Sequence, residues 1–244
     1  IRAGMVLALK RTVGEEKVEE RELAMTERME CALRAIPGLE LLGPVGAARV
    51  GIFSFNLRVG GRMLHHNYVV ALLNDLFGIQ ARGGCSCAGP YGHHLLGIDR
   101  ETTERHEREV QLGYSAFRPG WARLGVNWFF EDADVDRIAW AVEFVAQHGL
   151  ALLPLYRLDL KDGVWRARAG VADTPPARLS DLWDGDAAPT GEAPDFEVAM
   201  AEAKALLSKV PTDPEQLQMT AEQEELRWFW LPHEVARPVE MEQA

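Results

Sequence analysis

Two of the three cysteines in this 244-residue chain lie two positions apart, in a segment with the composition of a turn. Cys85 and Cys87 lie within the sequence QARGGCSCAGPYGHHLLG, which runs from Gln80 to Gly97. Glycine and proline are typical of loops, and glycine adopts backbone angles that other residues avoid. A thiol held on such a loop becomes a nucleophile when it is ionised. The segment therefore predicts a reactive thiol, with an inert turn cysteine as the alternative.

The two histidines that follow the cysteines add two candidate metal ligands. His93 and His94 complete a C-x-C-x5-H-H pattern with Cys85 and Cys87. Structural zinc sites usually have a wider cysteine spacing. We therefore predict no metal, and we place both histidines at a helix end or at the surface.

Arg123 is a second candidate functional residue. It alternates with Leu124 and Val126 in a predicted strand, so it points away from the face that those two bury. A charged residue is rarely placed there without a partner, and a guanidinium matches a carboxylate through two hydrogen bonds. Arg123 is therefore a candidate for carboxylate binding, with a surface salt bridge as the alternative.

The same segments resemble a known family, the class V aminotransferase-fold enzymes, which use pyridoxal phosphate and include cysteine desulfurases and molybdenum-cofactor sulfurases. The family's R-x-G-x-x-C-A-x-P segment is written here as Arg82, Gly84, Cys87, Ala88 and Pro90. The order Gly84-Cys85-Ser86-Cys87 resembles the G-C-x-C form of the sulfurases more closely, and Ser86 replaces a histidine that many desulfurases have. The segments Trp121 to Asn127 and Glu131 to Val145 resemble the family's last core strand and closing helix.

The resemblance implies a role for each candidate residue. Cys87 takes sulfur from the substrate as a persulfide, Arg123 grips the substrate α-carboxylate, and Arg82 orients substrate or cofactor. Cys85 either resolves the persulfide, forms a strained disulfide or has no role, and the last reading is favoured. The reaction implied is removal or transfer of a group from a small amino acid, with sulfur from cysteine as the expected group. The complete enzyme is expected to be a homodimer.

The match covers roughly residues 1 to 150, which correspond to the small C-terminal domain of fold-type I pyridoxal-phosphate enzymes. Because the chain begins with Ile1, we expect it to start partway through a longer protein whose preceding large domain carries the Schiff-base lysine. No lysine here lies in a matching context: Lys10, Lys17, Lys161, Lys204 and Lys209. The segment alone is therefore predicted to be inactive and to hold no covalent cofactor. The alternative is a non-catalytic module, or a separately encoded half that assembles with a lysine-bearing large domain.

The order of predicted helices and strands indicates an α+β fold, a small antiparallel or mixed sheet covered by helices, and this fold must position the candidate residues. Apolar periodicity predicts helices over Glu15 to Ile36, Leu64 to Phe77, and from a cap at Asp132 or Asp134 to Gly149. Strands are predicted over Leu39 to Leu42, Arg49 to Leu57, Ile79 to Ala81 and Trp121 to Asn127. Arg82, Gly83 and Gly84 are expected to break the third strand, and Glu101 to Gly120 is predicted to be a helix or long loop beside the site.

A C-terminal extension is predicted beyond this domain, which we place at residues 1–150. Residues 151–170 should form a hairpin around Asp162-Gly163, residues 171–194 a linker, and residues 195–244 a helical acidic tail. The apolar run Leu226 to Leu231 should dock on the body of the protein.

Composition narrows the class of protein. A hydrophobic content of 47% suffices for an ordinary core, and the sequence has no apolar run of the ~20 residues that a membrane helix needs. Three cysteines argue against a disulfide framework, so we expect reduced thiols and a cytoplasmic location. The net charge is −11, and residues from Val171 onward hold 16 of the 37 acidic and 5 of the 26 basic residues. Charge is thus balanced before Val171, and we predict neither nucleic-acid nor membrane binding.

Overall fold

The computed structural model describes residues 1–85, 89–171, 195–214 and 216–235, and these residues form the predicted α+β fold. Its helices are α1 (Arg2–Val13), α2 (Glu15–Ala35), α3 (His66–Phe77), α4 (Gly89–Leu95), α5 (Arg100–Gln111), α6 (Asp132–Leu152), α7 (Phe196–Ala205) and α8 (Ala221–Leu226). Its strands are β1 (Leu39–Leu41), β2 (Ile52–Val59), β3 (Arg62–Met63), β4 (Arg82–Gly84), β5 (Trp121–Gly125), β6 (Tyr156–Asp159) and β7 (Val164–Ala167).

The main sheet is antiparallel, with strand order β1-β2-β5-β4 and β3 paired to β2. Alternate residues of the central strand β2 face opposite sides of the sheet. Phe53, Phe55 and Leu57 are fully buried on the side that carries the core. Ser54 and Arg58 lie on the other side, which we call the open face.

Helices α2, α3 and α6 pack against the core side of the sheet. The predicted stripe of α2 is confirmed, since Met25, Met29 and Leu33 are almost completely buried while the charged residues of that helix face solvent. Gly78 ends α3 in the left-handed conformation, as predicted. The periodic pattern thus identified the helices that cover the sheet.

The prediction that the third strand ends at Ala81 is wrong, and so is the prediction that Arg82, Gly83 and Gly84 break it. These three residues are themselves β4, paired with β5. A Cβ atom on Gly83 would lie 2.2 Å from the Asn67 side-chain oxygen, so the glycine lets α3 pack directly on the strand. The glycine serves a close approach and does not mark a loop.

Helix α6 differs from the prediction at both ends. Its N-cap is Glu131 rather than Asp132 or Asp134, although Asp134 accepts the backbone N–H of Glu131 at 2.9 Å in a capping box. Gly149 does not end the helix, which continues to Leu152. Gly149 is buried, and its carbonyl accepts the Tyr68 hydroxyl at 2.8 Å.

Helix α6 and the turn after it form the one segment of the described chain that is long and apolar enough to cross a membrane. The segment is Asp132–Leu155, and 56% of its most apolar window is buried within the protein. Burial against α2 and α3 accounts for this apolar composition, as in the core helices of many globular proteins.

The predicted hairpin is present as β6 and β7, and Trp165 packs on Tyr68 of α3 with ring centroids 4.9 Å apart. The predicted docking of the apolar C-terminal run is also confirmed. Phe229 is completely buried and forms an isolated parallel bridge with Met63, while Trp230 Nε1 donates to the Val59 carbonyl at 2.8 Å.

Beyond the hairpin, the structure describes residues 195–214 and 216–235 of the extension. A helix predicted over Asp195 to Lys209 is present as α7 followed by the 3₁₀ turn Leu206–Lys209. The predicted linker falls outside the described residues from position 172 onward, and the tail does so after position 235.

Candidate functional site

The predicted nucleophile, Cys87, lies outside the described residues together with Ser86 and Ala88. Cys85 is described and is half-buried directly after β4. The predicted helix-end position of His93 and His94 is confirmed, because both lie in the last turn of α4.

The two candidate arginines are brought together by strand register. Arg82 on β4 and Arg123 on β5 are direct cross-strand partners, and Ser54 on β2 is the partner of Arg123 on its other side. Directly opposed residues share a face of the sheet, with Cα atoms about 4.5–5.5 Å apart. The side chains of Ser54, Arg123 and Arg82 therefore form one row on the open face. Arg82 is exposed and Arg123 is half-buried.

Like charges placed directly opposite each other on neighbouring strands destabilise a sheet. A negatively charged group beside such a pair, from the protein or from a ligand, lowers this repulsion. A carboxylate is a suitable anion, because each guanidinium can donate two hydrogen bonds to it. The arrangement can bind a small carboxylate on the open face, near the start of the cysteine loop.

A close backbone contact fixes the start of that loop. A Cβ atom on Gly120 would lie 2.8 Å from Gly84 Cα and 3.0 Å from the Cys85 nitrogen. Gly120 immediately precedes β5, so its missing side chain lets the end of β4 and the first cysteine lie against the start of the neighbouring strand. The backbone around Cys85 is thus held by packing on one side.

Cys85 lines a small cavity of about 230 Å³, together with His93 on α4 and His106 on α5. His106 also lines a neighbouring cavity of about 410 Å³, whose wall includes Asn56 and Trp228. His106 therefore borders both cavities, that of Cys85 and the second one, which Arg58 also lines and which is the open-face cavity.

His106 is 4% exposed and was missed by the sequence reasoning. Burial lowers its pKa to about 4, against a smaller opposing effect of the hydrogen bond to the Phe117 backbone. Its Nδ1 is buried without a hydrogen-bond partner, and the same is true of His93 Nδ1. The spacing of His106 and Glu109 could have identified it, since these two residues lie three positions apart and form the buried side of an otherwise charged helix.

A second buried histidine group lies under the sheet. His65 and His66 stack with ring centroids 4.3 Å apart, and Trp228 stacks on His65 at 5.2 Å. His65 Nδ1 accepts the Asn67 N–H at 3.1 Å, and burial lowers the pKa of His65 to about 4. These rings cap α3 and fill the core, so we read them as structural.

No group of three His, Cys, Asp or Glu side chains within the described ranges is placed to hold a metal ion. The C-x-C-x5-H-H set includes Cys87, which lies outside the described residues.

Comparison with known proteins relates the first half of the chain to one family. The family model described as Aminotransferase class-V matches residues 1–136, which is more than half of the chain. A cysteine desulfurase from Pectobacterium carotovorum subsp. carotovorum is 35% identical over 91 residues, covering 37% of this chain and 21% of the relative. A cysteine desulfurase from Klebsiella pneumoniae subsp. pneumoniae is 38% identical over 87 residues, covering 36% of this chain and 20% of the relative. The matched region thus spans about a fifth of the length of these relatives.

Proposed function

The chain belongs to the aminotransferase class-V family, and on that premise we propose that it supplies the carboxylate-binding arginines and the sulfur-accepting loop of a cysteine desulfurase-like enzyme. The relatives named cysteine desulfurase support the reaction class. In this proposal Arg123 binds the α-carboxylate of a small amino acid, Arg82 assists it, and Cys87 accepts the sulfur as a persulfide. The complete enzyme is proposed to be a cytoplasmic homodimer.

The observation that carries the proposal is the cross-strand register of Arg82 and Arg123. Two separate sequence signals, which lie 41 positions apart, meet as neighbours on one face of the sheet. The cysteine loop begins at the end of the same strand that carries Arg82. A substrate carboxylate held by the two arginines would therefore lie near the start of the loop that carries Cys87.

The described residues do not fit a covalently held pyridoxal phosphate. That attachment uses a lysine enclosed with the substrate groups, whereas all five lysines of this chain lie at the surface. None of them lines the cavity of Cys85 or the cavity on the open face. In the proposed enzyme the cofactor is held by another part of the protein, and this chain supplies binding and a thiol.

Carboxylate binding can be tested on the chain itself. We would titrate it with L-cysteine and follow the arginine Nε–Hε signals by NMR, which detects millimolar affinity. The Arg123→Lys variant keeps the charge but loses the planar fork, and we expect it to weaken binding by about 10- to 100-fold, the equivalent of a charged hydrogen bond. Arg58→Gln is the matched control, because Arg58 is an arginine on the same face of the sheet, four positions along β2 from Ser54. Equal binding by wild type and Arg123→Lys would refute the proposal.

The predicted inactivity of the segment has a separate test. The purified chain mixed with pyridoxal phosphate should show no visible Schiff-base band that borohydride removes, and it should release no sulfide from L-cysteine. A borohydride-sensitive band with a defined stoichiometry would show that one of the surface lysines holds the cofactor.

One observation favours assembly with another polypeptide or domain. No residue of α1 is buried, and Met5, Val6, Leu7 and Leu9 are all more than half exposed. Such a helix requires a covering surface. Co-purification with a lysine-bearing subunit would support the separately encoded half, whereas a Cys87 inert to iodoacetamide would favour the non-catalytic module.

A further inference from the structure

The cavity beside Cys85 contains chemistry that the proposed function does not use. It has a volume of about 230 Å³ and is lined by one thiol and two imidazoles, those of Cys85, His93 and His106. A water molecule occupies about 30 Å³ in the liquid, so the cavity can hold a small group attached to the sulfur. The sequence reading had favoured no role for Cys85.

The two imidazoles present unsatisfied nitrogen atoms. His93 Nδ1 and His106 Nδ1 are buried, and neither has a hydrogen-bond partner among the described residues. A neutral imidazole has one donor nitrogen and one acceptor nitrogen, so each ring can also accept a hydrogen bond or a proton. Leaving a buried polar atom unpaired costs about 1–3 kcal/mol, so both rings keep unused hydrogen-bonding capacity at the wall of the cavity.

We propose that Cys85 is a second sulfur-accepting thiol, which takes a sulfane sulfur from a persulfide donor and holds it in this cavity beside His93 and His106. The inference rests on the proposed function, because a desulfurase-like enzyme generates the persulfide that serves as donor. The two imidazoles position the thiol, and His93 takes its proton, since a thiol is a nucleophile only as the thiolate and the low pKa of His106 makes that ring a weak base.

The transfer balances without an external oxidant. The S–H proton of Cys85 passes to the His93 imidazole, and the thiolate attacks the outer sulfur of the donor persulfide. One S–S bond forms on Cys85 as the S–S bond of the donor breaks. The departing thiolate takes up the proton from the imidazole, so a thiol and a persulfide exchange one sulfur atom.

The test uses a chemical donor, so it does not depend on turnover of cysteine. The full chain carrying Cys87→Ser is treated with glutathione persulfide, alkylated, and mapped by mass spectrometry. Cys31 is exposed and serves as the internal control in the same molecules. We expect persulfide on Cys85 to form at least about tenfold faster than on Cys31, and His93→Gln to remove most of that advantage without slowing Cys31. His106→Gln is the second variant, should His93→Gln lower the unfolding midpoint.

The possible outcomes separate the two proposals. Equal rates at Cys85 and Cys31, or a Cys85 rate unaffected by both histidine variants, would overturn the inference. The reciprocal chain, Cys85→Ser with Cys87 intact, tests Cys87 with the same donor. Reaction at Cys87 alone would leave the proposed function standing and reject the role of Cys85, whereas reaction at Cys85 alone would support the inference and move the sulfur-carrying role away from Cys87.

Discussion

Replacing Gly120 by alanine should test whether close backbone packing positions the cysteine loop. The new Cβ would lie 2.7 Å from the Gly84 carbonyl carbon, 2.8 Å from Gly84 Cα and 3.0 Å from the Cys85 nitrogen. Ordinary carbon–carbon contacts are about 3.5–4.0 Å, so one backbone must move by about 1 Å. All three contacted atoms belong to the main chain, so no side-chain rotation relieves the clash.

Overpacking of this kind costs about 1–3 kcal/mol, which for a chain of this size lowers the melting temperature by about 2–12 °C. The assay is urea or thermal unfolding, combined with the alkylation rate of Cys85. Gly61→Ala is the matched control, because a Cβ there meets no atom within 4 Å and Gly61 has no positive φ. We expect Gly61→Ala to change the free energy of unfolding by less than about 0.5 kcal/mol. A Gly120→Ala protein with wild-type stability and an unchanged Cys85 rate would refute the packing argument.

Two further predictions concern buried charge. Arg227 is 6% exposed and donates to Glu234 at 2.7 Å, while Glu234 also accepts from Arg62 at 2.6 Å. Arg227→Met should therefore lower the free energy of unfolding by about 1–3 kcal/mol, while Arg100→Ala, at an exposed pair, should have no measurable effect. Burial tends to raise the pKa of Glu234, but its hydrogen bonds outweigh burial, so the pKa lies below the ordinary value of 4.5. The stabilisation is therefore fully present above about pH 4.5 and is lost as the pH falls through the pKa of Glu234 in the folded protein. Urea titrations at pH 7 and pH 3 should show a difference between wild type and Arg227→Met that shrinks in acid. Burial lowers the pKa of His65 to about 4, so the free energy of unfolding should fall by up to about 1.4 kcal/mol per pH unit as the pH decreases from 6.5 to 4. The variant His65→Asn keeps an acceptor at the helix cap, and its free energy of unfolding should depend less steeply on pH. An unchanged slope in His65→Asn would rule out this histidine as the source.

The periodic parts of the fold could be predicted because burial and side-chain spacing coincide there. Met25, Met29 and Leu33 recur at helical spacing since one face of α2 covers the sheet. Phe53, Phe55 and Leu57 recur at every second position since one face of β2 packs on the core. These patterns are local in sequence, so they need no knowledge of the partner element.

The glycines were misjudged because their meaning depends on atoms far away in the chain. Gly83 looks like a loop residue until Asn67 of α3 is placed against it, and Gly149 looks like a helix end until Leu64 is placed 2.8 Å from its absent Cβ. In both cases the missing side chain allows close packing, which sequence alone does not distinguish from a turn.

The site was predicted one residue at a time, without its geometry. Each of Arg82 and Arg123 was identified by the resemblance, but only strand register shows that they are neighbours. His106 was missed because α5 looks uniformly polar, and its buried side is created by α8, where Gln223 Nε2 donates to Glu109 at 2.7 Å. The covering helix lies 114 positions later in the chain.

The docking of the last apolar segment also has a consequence for how the protein matures on the ribosome. Met63 hydrogen-bonds through its N–H to Trp228 and through its carbonyl to Trp230, and Trp230 reaches Val59 across 171 positions of sequence. The edge of the sheet and the stacked rings of His65 and Trp228 therefore stay incomplete until the segment from Trp228 to Trp230 has left the exit tunnel. Closing such distant contacts is slow, so we expect the strand edge at Met63 to stay without this partner until residues 228–230 can reach it.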